Sequence, residues 1–372
     1  MIRIGVDIGG TKMEIAAIDE SGEELLRRRA AAPGGGYDEA MAAIAEFILE
    51  AERTLAARCS VGVCTPGALS IGSGTLKNAY ASVLNAMQVK PDLERLLDRE
   101  VRFANDANCF ALSEAIETLA RLVLEAEREV GTQCTVGIGT PGAVSRGSGV
   151  LKNAYASELN GMPVKPDLER LLGREVRFAN DANCFALSEA IDGAAKGARI
   201  VFGVILGTGV GGGIVVDGRA LSGANAICGE WGHNSLPWPV PEEMPGPRCA
   251  CGRNGCIEAF LSGPGLARDH LLATGEARAP ADIVERAESG DRGCAAALKR
   301  YEERLARALA SVINLLDPEV IVLGGGLSRI ERLVRNVPAR WGSHVYSDGV
   351  VTRLVRAAHG DASGVRGAAR LW

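Results

Sequence analysis

The stretch 229–258 holds the residues best suited to chemistry. It opens Gly-Glu-Trp-Gly-His, from Gly229 to His233, passes through a Pro-rich bend, and closes Cys249-Ala-Cys251-Gly-Arg-Asn-Gly-Cys256-Ile-Glu258. His233, Cys249, Cys251 and Cys256, separated by glycines that allow tight reversal, have the spacing of a closed four-ligand Zn2+ site, and a closed site is structural. Three ordinary reduced thiols and a surface histidine are the plainer alternative. Glu230 stands three residues before His233 and Glu258 two after Cys256. A metal knot would therefore hold two carboxylates at a fixed separation, which the long bend between them could not do alone. Carboxylates so placed suit sugar hydroxyls.

Two glycine turns come next. Residues 2–6 read as a strand, Asp7-Ile-Gly9-Gly10-Thr11-Lys12 as a turn, and residues 13–18 as a second strand. Consecutive backbone N–H groups in such a turn can wrap a phosphate, Thr11 and Lys12 add a hydroxyl and a charge, and Asp7 could orient Mg2+ through water. Gly207-Thr208-Gly209, followed by Gly211, Gly212 and Gly213, again lies between two apolar strands, 200–206 and 214–216. An ordinary tight turn is the alternative for either. A dinucleotide site is the rival reading, but neither turn opens the helix that such a site needs.

The chain also repeats itself. From Cys59 to Glu117, 48 of 59 positions are identical to those 75 residues later, so Asn105-Asp106 returns as Asn180-Asp181. This is a tandem segment duplication, 43–117 and 118–192, and two copies are too few for a solenoid. At the junction the helix after Asn105-Asp106 meets no Pro or Gly until Gly131, which predicts a fused helix of about 20 to 24 residues. Asp181, at a strand end, is a candidate general base with Asp106 as its duplicate; Asn-Asp before an apolar helix is also a capping pattern.

Gly-Glu-x-Gly-His followed by Cys-x-Cys-Gly-x-x-Gly-Cys-x-Glu resembles the signature of the ROK family of sugar kinases and repressors. The paired glycine turns are similar to those of the actin and hexokinase superfamily. The Leu-Pro-Trp after His233-Asn234, with the Lys-Asn-Ala and Leu-Asn-Gly loops, looks most like bacterial fructokinases of the manno(fructo)kinase type. The resemblance implies an α/β, two-lobed actin/hexokinase-like (ribonuclease H-like) ATPase fold, with an N-terminal lobe over 1–192 and a C-terminal lobe over 193–372. It implies ATP-dependent phosphorylation of a hexose, fructose foremost, with a glucokinase or N-acetylglucosamine kinase as the alternative, or a catalytically impaired sugar-binding protein. Asp181 would be the catalytic aspartate. Asn180, Glu230, His233, Glu258, Asn153 and Asn160 would contact sugar, His233 with the ring nitrogen that the metal leaves. Asp7, Gly9, Gly10, Thr11, Lys12, Gly207, Thr208 and Gly209 would hold ATP with Mg2+, and Gly324, Gly325 and Gly326 would underlie the adenosine. Copy two keeps the family's Gly139, Leu159-Asn160-Gly161 and Pro163, where copy one has Cys64, Leu84-Asn85-Ala86 and Gln88, so copy two is expected at the substrate.

Composition bounds the rest. A net charge of −5 in 372 residues offers no basic field for nucleic acid, and 47% hydrophobic content belongs to a globular enzyme. Ten cysteines, several inside apolar helical patterns, fit a reducing cytoplasm. No run of membrane-spanning length and no export signal is expected. A homodimer is expected, and with Asp7 so near residue 1 the winged helix of a ROK repressor is not expected.

Overall fold

The computed structural model describes residues 2–9, 11–19, 23–32, 34–65, 68–69, 75–77, 84–153 and 160–372, side chains at 68–69 and 104–113 excepted. By contact the chain forms two compact units, one of Met1–Gln133 with Pro166–Glu175, the other of Cys134–Lys165 with Val176–Trp372. The sequence reading places both copies before residue 193. By contact, most of copy two groups with the residues that follow it.

In the first unit, alternation sets the strands. β1 (Arg3–Ile8) buries Ile4, Val6 and Ile8, and β2 (Lys12–Ile18) buries Met13, Ile15 and Ala17. They pair antiparallel, and β3 (Glu24–Ala31) pairs with β2. α1 (Tyr37–Leu55) buries Met41, Ile44, Ile48 and Ala51 on one face. It returns the chain so that β4 (Ser60–Thr65) lies parallel to β1, from Arg3 opposite Ser60 to Asp7 opposite Cys64. α2 (Val89–Leu97) does the same for β5 (Val101–Asn105), completing a sheet of order β3-β2-β1-β4-β5. Copy one therefore supplies both strands beyond β1.

The predicted fused helix is present as α3 (Asp106–Val130), 25 residues, ended by Gly131 at φ +75°. Its second half carries copy two's version of the α1 face without the same cover. Leu119 is 39% exposed where its counterpart Ile44 is fully buried.

Copy two forms β6 (Val136–Thr140), α4 (Val164–Leu172) and β7 (Val176–Asn180). β6 and β7 pair parallel from Val136 opposite Val176 to Thr140 opposite Asn180, the same register as Val61 opposite Val101 to Thr65 opposite Asn105. They make a two-stranded sheet. α5 (Asp181–Ile191) follows, with every side chain from Ala182 to Ala190 buried. Beyond it, β8 (Ile200–Leu206), β9 (Val210–Val216) and β10 (Arg219–Ala220) form an antiparallel meander. α6 (Ile257–Leu261), α7 (Gly263–Thr274), α8 (Pro280–Glu288) and α9 (Arg292–Leu316) precede β11 (Val320–Gly324) and β12 (Arg353–Arg356). The sheet order is β10-β9-β8-β11-β12, the same winding as in the first unit. α10 (Ser363–Ala368) packs on α5 so closely that a Cβ on Gly367 would lie 1.7 Å from the Cys184 carbonyl oxygen.

Glu189 explains why α5 belongs here. Fully buried, it accepts hydrogen bonds from the N–H groups of Ala194 (2.8 Å), Ala358 (2.9 Å) and His359 (3.1 Å) and from the Ser363 hydroxyl (2.7 Å). Burial alone would raise its carboxyl, but these donors outweigh it and hold it below the ordinary value. With a lowered folded pKa, its contribution is present above the unfolded value and is lost as pH falls through the folded one. Glu189→Ala strands several buried donors and should cost about 3 kcal/mol or more in denaturant unfolding. Glu114, the exposed duplicate, should change stability by less than about 0.5 kcal/mol on the same substitution.

Candidate active site and metal cluster

At the carboxyl end of β7, the side chain of Asn180 caps α5, its Oδ1 accepting from the Ala182 N–H (2.9 Å) while its Nδ2 donates to the Gly142 carbonyl (3.0 Å). Each end of the amide makes one bond to backbone, which leaves a second N–H and a second lone pair. The Asp181 carboxylate also accepts from the Ala182 N–H, at 2.8 Å. Asp181 is exposed by area, yet enough protein surrounds it that desolvation raises its carboxyl, against the lowering effect of the Ala182 N–H and Asn180.

Glu230 follows Gly229, whose φ of +97° turns the chain; a Cβ there would stand 2.3 Å from the Gly212 carbonyl oxygen. Desolvation raises the Glu230 carboxyl, and the charges of Asp181 and Glu258 add to it while His233 opposes. Glu258, buried on α6, is aimed by the Val210 N–H donating to its Oε2 at 3.0 Å. The carboxylates of α5 and α6 thus lie near enough to Glu230 for their charges to act on it.

Beside them, the ligand atoms of His233, Cys249, Cys251 and Cys256 all lie within 4.8 Å of one another. His233 Nδ1 is 3.6 Å from Cys249 Sγ, and Cys251 Sγ is 3.6 Å from Cys256 Sγ. A tetrahedron of Zn–S bonds has edges of about 3.8 Å, so the cluster fits such an ion. Its thiols want one. The Arg253 backbone N–H pulls Cys251 down to about 6, whereas burial pushes Cys249 up and Cys256 up to about 12, and a cation is the charge that lets those two bind as thiolates.

The Gly207, Thr208 and Gly209 turn joins β8 to β9, with the Gly207 N–H donating to the Gly209 carbonyl and the Gly263 N–H to that of Gly207. It borders a cavity of about 740 Å3 that is also lined by Pro264, Val284, Gly326 and Ile330. Pro264, Val284 and Ile330 carry no motif, and the sequence offered no signal for them. The glycines around the turn divide by purpose. β9 begins at Val210, earlier than the sequence suggests, and a Cβ on Gly213 would fall 2.3 Å from the Ala182 carbonyl oxygen. Gly324 is needed by the Phe185 ring, 2.5 Å from its would-be Cβ, and Gly325 by the Leu206 backbone. Only Gly326 of that trio lines the cavity.

The first hairpin, with Asp7, Gly9, Thr11 and Lys12, lies in the first unit, where the Gly9 N–H donates to the Lys12 carbonyl at 2.9 Å. Gly10 and the Asp106 side chain lie outside the described residues. Asn153 and Asn160 are exposed in the second unit, Asn153 at φ +58°, beside Lys152, whose Nζ donates to the Asn225 carbonyl at 2.8 Å. Gly161 takes a left-handed conformation (φ +84°) that Ala86, its duplicate, adopts at φ +62° against its Cβ.

A sequence profile of the ROK family matches residues 3–119 and again 114–372. The chain belongs to the ROK family. The two matched spans of this ROK protein overlap within α3. The N-acetyl-D-glucosamine kinase of Aliivibrio fischeri is 40% identical over 260 residues, covering 69% of this chain and 86% of that protein. The N-acetyl-D-glucosamine kinase of Vibrio cholerae is 38% identical over 283 residues, 75% and 92% of the two chains. Among solved structures, the ROK hexokinase from Thermus thermophilus aligns at 26% identity and a TM-score of 0.56, covering 99% of this chain and 97% of that one. A ROK family glucokinase from Streptomyces griseus in complex with glucose and AMPPNP shares the fold at 23% identity and a TM-score of 0.55, over 100% and 99%. The paired sheets of this ROK protein agree with the actin/hexokinase-like ATPase fold. The relatives just named carry the alternative weighed from the sequence rather than fructokinase. No helix among the described residues is long and apolar enough to cross a membrane.

Proposed function

We propose that this ROK protein transfers the γ-phosphoryl group of ATP to a hydroxyl of N-acetyl-D-glucosamine. The observation that supports it most is the meeting of Asp181, Glu230 and Glu258 in a chain about two-fifths identical to kinases of that sugar. Asp181 takes the proton of the attacking hydroxyl while the sugar oxygen bonds to the γ-phosphorus and the bond to the β,γ-bridging oxygen breaks, releasing ADP. Glu230 and Glu258 accept hydrogen bonds from neighbouring hydroxyls and fix the sugar's orientation. The turn at Gly207 and Thr208, with the cavity beside it, receives the nucleotide. Mg2+ carried with ATP supplies positive charge to the phosphoryl oxygens. His233, Cys249, Cys251 and Cys256 would hold Zn2+, which would brace the segments carrying Glu230 and Glu258 and take no part in the chemistry.

A coupled ADP-release assay over N-acetylglucosamine, N-acetylmannosamine, glucose, mannose and fructose tests the assignment. Expected is a kcat/KM for N-acetylglucosamine at least about tenfold above the others, a margin that one hydrogen-bonded substituent can provide. Fructose in first place would return the specificity to the fructokinase reading, and no turnover of any hexose would remove the kinase.

A further inference from the structure

The bend 234–248, between His233 and Cys249, contains little regular structure and is held by a buried ion cluster that no motif marks. Glu243, 7% exposed, sits at the end of the one-turn segment Pro241–Glu243. Its carboxylate accepts from Arg304 Nε (2.8 Å), from an Arg307 guanidinium nitrogen on both oxygens (2.7 and 2.8 Å), and from the Val240 N–H (3.1 Å). Arg307 also donates to the Trp238 carbonyl, so α9 grips the bend at two points five residues apart. Arg304 reaches further. It donates to Asp269 on α7 (2.6 Å), and its guanidinium lies 5.1 Å from the ring centre of Phe260 on α6, two residues after Glu258. One turn earlier on α9, the buried Tyr301 hydroxyl donates to the Leu261 carbonyl at the end of α6 (2.8 Å).

The held bend lies against the cysteine loop. Leu236 N–H donates to the Gly255 carbonyl and Gly255 N–H to that of Pro247, both at 2.9 Å, and a Cβ on Gly246 would lie 2.5 Å from Gly255 Cα. Metal ligands at the two ends of a bend this long leave its middle free. A buried cluster of charges is seldom more stable than well-packed apolar side chains, but its directional bonds fix one orientation.

We propose that Glu243, clamped by Arg304 and Arg307, is a positioning residue of the sugar-binding wall. It sets the bend so that the ligands meet at one point, and through Arg304 it sets the helix that carries Glu258. The role in sugar binding rests on the reading above; the role in holding the metal loop does not.

Glu243→Gln keeps the shape and removes the charge. In the folded variant, verified by circular dichroism, zinc release to a chromogenic chelator and tryptic cleavage after the exposed Arg248 should both run at least about fivefold faster, because the loop opens locally more often. Hexose KM should rise about fivefold or more while ATP KM stays within twofold. Arg304→Lys, which keeps a charge and loses the planar fork, should give the same changes to a smaller degree, and it serves alone if Glu243→Gln does not fold. Release and cleavage rates within twofold of the unaltered protein in both variants would overturn the proposal. If the protein turns over no hexose, the kinase reading falls and the cleavage rates still decide this one.

Discussion

Asp181→Asn should lower kcat for hexose phosphorylation about a hundredfold to ten-thousandfold, the range that a general base provides, while Asp106→Asn leaves it within about twofold. Asparagine keeps the size and the bond to the Ala182 N–H but cannot take a proton. The asymmetry follows from position, since Asp181 shares its unit with Glu230 and Glu258. Because desolvation raises the Asp181 carboxyl, the acid limb of kcat/KM should lie above the value of a free aspartate, and the limb should vanish in the residual activity of Asp181→Asn. The stability sign runs the other way. A carboxyl with a raised folded pKa favours folding below its unfolded value and loses that contribution as pH rises through the folded one. Asp181→Asn should therefore melt no lower than the unaltered protein at pH 7. Full loss of activity on Asp106→Asn, with Asp181→Asn active, would reverse the assignment of the two copies.

Cys256→Ser carries the second large effect. Its Sγ is buried, 3.6 Å from both Cys251 Sγ and the His233 carbonyl oxygen, and a serine there cannot supply the soft anionic ligand. The variant should lose the one zinc per chain that metal analysis is expected to find, and with it about 3 kcal/mol or more. Spread over a unit of this size, that lowers Tm by about 6 to 12 °C. Its kcat/KM for hexose should fall by about tenfold to a hundredfold through the loosened Glu230 and Glu258. Purified protein with less than about a tenth of a zinc per chain would remove the metal, and this effect with it.

Much of this arrangement was legible in the residues. The gathering of His233 with the three cysteines and the long helix across Glu117 both rest on local pattern, and both stand in the structure. What pattern could not show was a glycine's reason. Gly213 follows the second glycine turn and Gly324 and Gly325 read as adenosine contacts, and their missing Cβ atoms also make room for the Ala182 carbonyl, the Phe185 ring and the Leu206 backbone. Asn180, read as a sugar contact, also caps α5. The Glu243 clamp joins residues 61 and 64 positions apart, with no periodicity linking them. Three of the four donors to Glu189 lie 169 to 174 residues away, beyond the reach of local pattern, whereas the same residue type at Glu114 is exposed.

The matching registers of β4 with β5 and of β6 with β7 bear on how the chain is born. β1 has one free edge for a parallel neighbour, and the polypeptide contains two nearly interchangeable candidates for it. On the ribosome they do not emerge together. The later one trails by 75 residues, about 4 to 15 s at ordinary rates of synthesis, far longer than a small sheet needs to close. Translation order therefore favours β4 as the partner of β1.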